Sequence, residues 1–176
     1  MAIKTVLRMG DPRLLQRSAE FSPIPSVALD ALVQDLRDTM ASYQGAGLAA
    51  PQIGVLQRVV VFGGQANPRY PDVEPVPDTV LVNPVIEVID AALESGWEGC
   101  LSVPGMRGLV PRYRAIRYTG LDQQGERIER EASGFHARVV QHECDHLDGF
   151  IYPMRMPDMA AFGFEAELEA DGRMGC

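Results

Sequence analysis

His142 and His146, four residues apart in the stretch Gln141-His142-Glu143-Cys144-Asp145-His146-Leu147, carry the clearest chemistry in this 176-residue chain. On an α-helix that spacing turns both imidazoles toward one point, where they can share a metal ion. Glu143 then lies about 100° away round the helix, beside the open coordination position. Two imidazoles, an ion and an adjacent carboxylate are the parts of metal-assisted hydrolysis. The flanking residues predict the helix: Ser133 as N-cap, no Pro or Gly from Phe135 to Asp148, and Gly149 as the stop. Wheeled, Phe135, Val139, His142 and His146 share one face while Val140, Cys144 and Leu147 lie roughly opposite, the pattern of a buried helix. The plainer alternative is that each histidine hydrogen-bonds separately in the core.

A catalytic site of this kind takes three protein ligands and leaves one position for water, so a third ligand must come from elsewhere. His136 is six residues before His142, about 240° round the helix, and cannot reach the same ion; it reads as a capping or hydrogen-bonded histidine. Cys144 points to the opposite face, and Cys176 sits at a chain end, where a tight ligand is not expected. Cys100, in Glu98-Gly99-Cys100-Leu101-Ser102, is the better candidate. Three cysteines are an odd number without framework spacing, which favours reduced thiols.

Composition bounds what this site can serve. The length suits one domain spanning residues 1–176, and 46% hydrophobic with 23% charged residues is ordinary for a soluble globular chain. No apolar run approaches the roughly 20 residues needed to span a bilayer. The first residues lack a secretory signal pattern, so the expected compartment is the cytoplasm. A formal net charge of −8 argues against a nucleic-acid surface and a membrane partner is not indicated. Arg107, Arg112, Arg114 and Arg117 read as a solvated or ion-paired face.

The elements that must position the site are legible to different degrees. Asp11-Pro12 opens a short helix, and Leu29, Leu32, Val33, Leu36 and Met40 recur at helical spacing between Ser26 and Tyr43. Gly45 to Gln52 is a turn and an extended small-residue strip that permits close backbone approach. Arg58 to Phe62 reads as a buried strand ended by Gly63-Gly64, and Gln65 to Asp78 as a surface loop. Thr79 to Asp90 is strand-like, with Pro84 marking an edge or bulge. Glu94 to Pro104 carries turn chemistry on both sides of the motif. Leu109 to Leu121 and Arg127 to Ala132 predict an antiparallel hairpin joined by Asp122-Gln123-Gln124-Gly125. Tyr152-Pro153 ends regular structure, and Asp158 to Leu168 forms a short terminal helix. The expected class is α+β, antiparallel β-sheets packed around a central buried helix that carries the metal motif.

Three stretches, Gly45 to Gln52, Glu98 to Ser102 and Gln141 to Leu147, resemble the three signature motifs of the peptide deformylases, in that family's order and spacing. The resemblance extends from Met9 to about Pro153. It implies that Cys100, His142 and His146 hold one divalent metal, with water at the fourth position and Glu143 carrying that water's proton. It further implies that the Gln52 amide and the Leu101 N–H donate to the oxyanion, that Gly47 pairs its backbone with an extended peptide, and that Glu98 pairs with Arg112. Ala46 and Arg138 fall near the expected side-chain pocket, and Phe135 and Val139 would line it for a methionine side chain. The implied substrate is an N-formyl-methionyl peptide on nascent chains, with the ribosome as a further partner, and the implied reaction releases formate. A metal lowers the pKa of bound water from about 15.7 to about 7, which makes this hydrolysis feasible at neutral pH. A thiolate ligand suits Fe(II) or Zn(II) better than Mg(II) or Ca(II), with Ni or Co able to substitute.

Three rivals remain at this stage. A metallopeptidase shares the His-Glu-X-X-His helix but not the Cys ligand or the short chain. A metal-stabilised binding module would need a closed four-ligand site. An inactive deformylase relative would be expected to lack some catalytic residue, and none is missing.

Overall fold

The computed structural model describes residues 3–64 and 75–174, and the strand Val59–Phe62 (β2) sets its layers. Successive side chains of a strand point to opposite faces, and here both faces are apolar. Val59 and Val61 pack with Leu29, Leu32 and Leu36, whereas Val60 and Phe62 pack with Val139, Val140 and Leu147. The first partners lie on helix α1 (Val27–Ser42) and the second on helix α2 (Gly134–Leu147). The sheet is therefore covered on both sides, and the architecture is α+β. No described helix is long and apolar enough to cross a membrane.

The described strands form one curled antiparallel sheet rather than the several sheets expected. Its order is β1 (Gly47–Ala49), β2, β3 (Thr79–Cys100), β4 (Val103–Leu121) and β5 (Arg127–Ser133), with β6 (Phe162–Phe164) pairing on β4. The long β3–β4 pair shifts register four times, between Val82/Val85, Val88/Asp90, Asp90/Leu93 and Glu98/Cys100. Each irregularity adds local twist, and the hairpin curls until its tip meets α2. The first shift falls at Pro84, where the sequence places an edge or bulge.

Local signals explain the helices. Ser26 caps α1 by accepting from the Leu29 N–H at 3.2 Å, and Asp11 caps a short 3-10 turn, Pro12–Leu15, by accepting from Arg13. α2 starts and stops where expected, with Gly149 beyond its end at φ +81°, but the Ser133 side chain makes no capping bond. Gly134, at φ +55°, turns the chain at that point. Met40 is partly buried against the α1 cluster, as a core filler.

The structure corrects four expectations. Glu94 to Pro104 holds a single tight turn, at Leu101 and Ser102, rather than turns on both sides: β3 runs to Cys100 and β4 begins at Val103. Glycines misled the reading, because Gly96, Gly99 and Gly108 lie within strands where large side chains rest on their Cα atoms: Arg138, Arg107, and Met156 with Tyr152. Tyr152–Arg155 is a further 3-10 turn rather than the end of regular structure. The expected helix from Asp158 to Leu168 divides into a 3-10 turn (Met159–Ala161), β6 and helix α3 (Glu165–Ala170), because Phe162–Phe164 finds a strand partner in Met106–Gly108. Arg114 and Arg117 are ion-paired on the surface, but Arg107 and Arg112 are buried. Of the loop expected over Gln65 to Asp78, residues 65–74 lie outside the described residues, and 75–78 have no regular structure.

Gly108 tests the close-approach argument. A Cβ there would stand 2.9 Å from a Tyr152 ring carbon and 3.0 Å from the Met156 methyl group. Overpacking a filled site costs ~1–3 kcal/mol, so Gly108→Ala should lower the urea midpoint correspondingly. An unchanged midpoint would mean that β4 has room at this position.

Candidate metal centre

The β3–β4 hairpin turns through Leu101 and Ser102 alone, since Cys100 faces Val103 across the pair. Cys100 thus ends its strand against α2, with Sγ 3.3 Å from His146 Nε2. His142 and His146 stand one helical turn apart, their ring centroids separated by 5.1 Å. One ligand atom from each of Cys100, His142 and His146 lies within 4.8 Å of the others, and this is the one such group found among the described residues.

Glu98 sets the orientation of His142. Its Oε2 accepts from His142 Nδ1 at 2.8 Å, which leaves Nε2 for an ion. The same carboxylate, only 3% exposed, accepts from Arg112 Nε at 2.9 Å and Nη2 at 3.0 Å, and from Arg138 Nη1 at 2.9 Å. Burial raises its pKa, but the bonds from Arg112 and His142 outweigh burial and hold Glu98 far below the usual carboxylate range. Arg112 continues to Asp145 on α2, and Asp145 to Arg155. Gln141 stitches the helix to β4 a second way, exchanging bonds of 3.1 and 2.9 Å with the Tyr113 N–H and C=O.

Gln52 sits in the 3-10 turn Ala50–Ile53 that follows β1. Its Oε1 accepts from the Ala49 N–H at 2.8 Å, so its amide nitrogen is turned toward the hairpin tip, 3.4 Å from Cys100 Sγ and 3.2 Å from Ser102 Oγ. The Ser102 N–H also approaches Sγ at 3.4 Å. Burial raises the Cys100 pKa, but His146 and His142 outweigh it and hold the thiol well below its usual range. Burial likewise disfavours charged His142, while Cys100 and Glu98 raise its pKa well above the ordinary value.

Glu143 is buried beside the two histidines. Its Oε2 has no hydrogen-bond partner and its carboxylate rests on the Cα of Gly47, where a Cβ would collide with it. Burial pushes its pKa up to about 7, with His142 and His146 opposing.

Of the residues singled out in the sequence, Ala46, Gly47, Gln52, Cys100 and Leu101 line one wall of a single cleft, and Phe135, Val139, His142 and Glu143 line the other. His146 lies behind them, 1% exposed. Cys144 is buried in the core on the far side of α2, and burial pushes its thiol strongly up. His136 meets the Tyr118 hydroxyl at 3.2 Å and stands apart from the cluster. Cys176 lies outside the described residues.

Sequence reasoning missed the bond from His142 to Glu98, the second guanidinium from Arg138, the place of Trp97 in the cleft, and the stacking of Tyr152 on His142 at 6.1 Å and 25°. The unusual Glu98 so close to Cys100 was the available signal; nothing in the sequence pointed to Tyr152.

The donor set fits a divalent cation. A low-pKa thiol and two imidazoles converge, one imidazole is oriented by a carboxylate as metal-binding histidines typically are, and a buried carboxylate oxygen beside them has no partner.

Comparison with known proteins agrees with this geometry. The family model described as polypeptide deformylase matches residues 3–161. Peptide deformylase 1 of Nitrosomonas europaea is 59% identical over 94% of both chains, and peptide deformylase 2 of Bordetella bronchiseptica is 60% identical over the same shares. Among solved structures, the Met-Ala-Ser-bound class I type b peptide deformylase from Acinetobacter baumannii superposes with a TM-score of 0.84 at 38% identity, covering 88% of this chain and 99% of that one. The extent and identity of these matches show that the chain belongs to the polypeptide deformylase family.

Proposed function

We propose that Cys100, His142 and His146 hold one divalent metal ion with which this chain removes the formyl group from the N-terminus of formyl-methionyl peptides. The observation that carries the reading is the meeting of a thiol and two imidazoles beside a buried, unpartnered carboxylate, in a chain of this family. In this reading the His-Glu-X-X-His segment of α2 is the metal motif, residues 1–176 act as one catalytic domain, and the enzyme works in the cytoplasm on nascent chains at the ribosome.

A bound ion supplies an acidified water and positive charge for a developing oxyanion. The chain's own groups do the rest. Glu143 takes the water's proton at its free Oε2 and passes it to the leaving amine. Gln52 Nε2 and the Leu101 N–H donate to the oxyanion as the formyl carbon becomes tetrahedral. Breaking the C–N bond then releases formate and a free N-terminus. Glu98 keeps His142 in the orientation that presents Nε2. A donor set of one thiolate and two imidazoles suits Fe(II), with Zn(II) as the alternative and Ni or Co as substitutes.

The substrate is recognised mainly through its backbone. Gly47 lies on β1, the first strand in the sheet order, where an extended peptide can add as a strand through backbone bonds, a mode that tolerates many sequences. Ala46, Phe135 and Val139 give the cleft an apolar pocket for a methionine side chain, and a thioether packs well against an aromatic ring. That a solved relative carries Met-Ala-Ser supports this choice.

Glu143→Ala should keep its metal and lose turnover by ~10² to 10⁴, the usual worth of a general acid–base group. Near-wild-type kcat in the metal-loaded variant would remove Glu143 from the mechanism.

Cys100→Ala should release the metal, while Cys144→Ala, altered on the core side of the same helix, should retain it. Metal analysis of the two purified variants decides: stoichiometric, tightly held metal in Cys100→Ala would place the third ligand elsewhere.

Formate release is expected from formyl-Met-Ala-Ser in preference to formyl-Asp or formyl-Lys peptides, with weak action on acetyl-Met peptides. One methyl group in an apolar site is worth only ~1–3 kcal/mol, so the acetyl discrimination should be the smaller. The assay is run beside mass spectrometry of an unblocked peptide. Internal cleavage of that peptide, without formate from the first, would hand the site to a metallopeptidase.

A further inference from the structure

Residues 162–170 lie beyond the stretch matched by the family model, which ends at residue 161, yet they reach both halves of the metal centre. We propose that this C-terminal strand and helix are a positioning element for the metal ligands, with Glu165 as the residue that transmits the effect. The proposal rests on the assignment of Cys100 and His142 as ligands.

β6 pairs with β4 at Met106, Arg107 and Gly108, and α3 is held in place by Leu168, which is fully buried. The junction of β6 and α3 sets the Glu165 carboxylate on Arg107, with Oε1 2.9 Å from Nε and 2.7 Å from Nη2. The Arg107 guanidinium in turn lies on Gly99, where a Cβ would stand 2.5 Å from Nη1 and 2.9 Å from Cζ. Gly99 joins Glu98 to Cys100, so the backbone that aims both the thiol and the carboxylate is backed by this guanidinium. A long arginine side chain has much rotamer freedom and is a firm backing only where its head is fixed. Its side chain is 8% exposed here, so the charge also needs a partner, even one that is itself only partly buried. Glu165 meets both requirements.

The same segment reaches the second ligand through rings. Phe162 packs edge-on against Tyr152 at 6.1 Å and 69°, and Tyr152 stacks on His142 at 6.1 Å and 25°. Tyr152 is 1% exposed, so it has no freedom to swing away from either. One short segment therefore backs the Cys100 arm by an ion pair and the His142 ring by packing.

The test uses the full chain loaded with Co(II), whose thiolate-to-metal absorption reports the bound state, and measures the rate of metal transfer to a chelator beside kcat and KM on formyl-Met-Ala-Ser. Groups that orient metal ligands are typically worth 10- to 100-fold in metal affinity or activity. Glu165→Ala should release Co(II) about tenfold faster and lose kcat by a similar factor, with KM less changed. Glu165→Gln, the milder variant, should shift the release rate in the same direction by a smaller factor, and it serves if Glu165→Ala folds poorly. Glu169→Ala, exposed on the same helix, should match the wild type. A Glu165→Ala enzyme with a lowered thermal midpoint but wild-type release rate and kcat would show the segment to be scaffolding only and overturn the proposal. If Cys100→Ala keeps its metal, the ligand assignment has failed; if it loses metal while Glu165→Ala releases it at the wild-type rate, the positioning role alone has failed.

Discussion

Removing a carboxylate from water costs several kcal/mol even after the protein relaxes, and Glu98 is removed almost completely. Its compensation determines how the molecule is joined. The carboxylate receives two bonds from Arg112 on β4, one from Arg138 on α2 and one from His142 on the same helix. Arg112 is balanced by Asp145, and Asp145 by Arg155 in the 3-10 turn beyond α2. Two carboxylates against three guanidiniums leave a single positive charge, which suits a centre whose Cys100 thiol is held toward its anionic form. The network spans β3, β4, α2 and that 3-10 turn, so the same charges that satisfy one another also fix the helix on the hairpin. Removing Glu98 would leave the buried Arg112 guanidinium short of a partner and the Arg138 charge with backbone carbonyls alone, which is the costly way to break such a network.

The sheet is shaped to deliver that hairpin. β2 alternates its valines between α1 and α2, which anchors one end of the sheet in two cores at once. From there β3 and β4 run far beyond the length of β2, shifting register as they go. A flat ribbon of this length would project into solvent. The bulges curl it back, and Gly96, Gly99 and Gly108 let Arg138, Arg107 and Tyr152 rest directly on the strand backbone. The small residues therefore mark contact, not flexibility, and they tie the far end of the ribbon to α2 and to the C-terminal segment.

What the sequence disclosed follows from this division between local and distant causes. α2 was legible because its histidine spacing, its freedom from Pro and Gly and its terminal Gly149 are all signals within one element. α1 and β2 were legible from apolar periodicity, and the Asp122 to Gly125 connection from turn chemistry. The meeting of Cys100 with His142 and His146 was legible too, since Cys144 faces the other side of the helix and Cys176 sits at a chain end. The glycine-rich strands were misread because a glycine that admits a side chain from elsewhere looks the same in sequence as one that makes a turn. The terminal helix was misread because Phe162–Phe164 is a strand only by virtue of Met106–Gly108, more than fifty residues earlier.

The same distinction explains why catalytic groups and their supports differ in visibility. In the proposed reading, ligands and a proton carrier are constrained by the geometry of one ion, which fits His142, Glu143 and His146 falling within five residues. Supports are constrained only by where burial leaves a charge or a ring in need of a neighbour. Glu98 finds His142 forty-four residues away, and Arg138 finds the Glu94 carbonyl at the same separation. No periodicity links such pairs, and any element that brings the right donor to the right depth would serve. Orientation of the reacting groups is thus set by contacts that belong to the packing of the whole chain, and a change in the C-terminal segment or the hairpin can reach the metal centre without altering a residue of its motif.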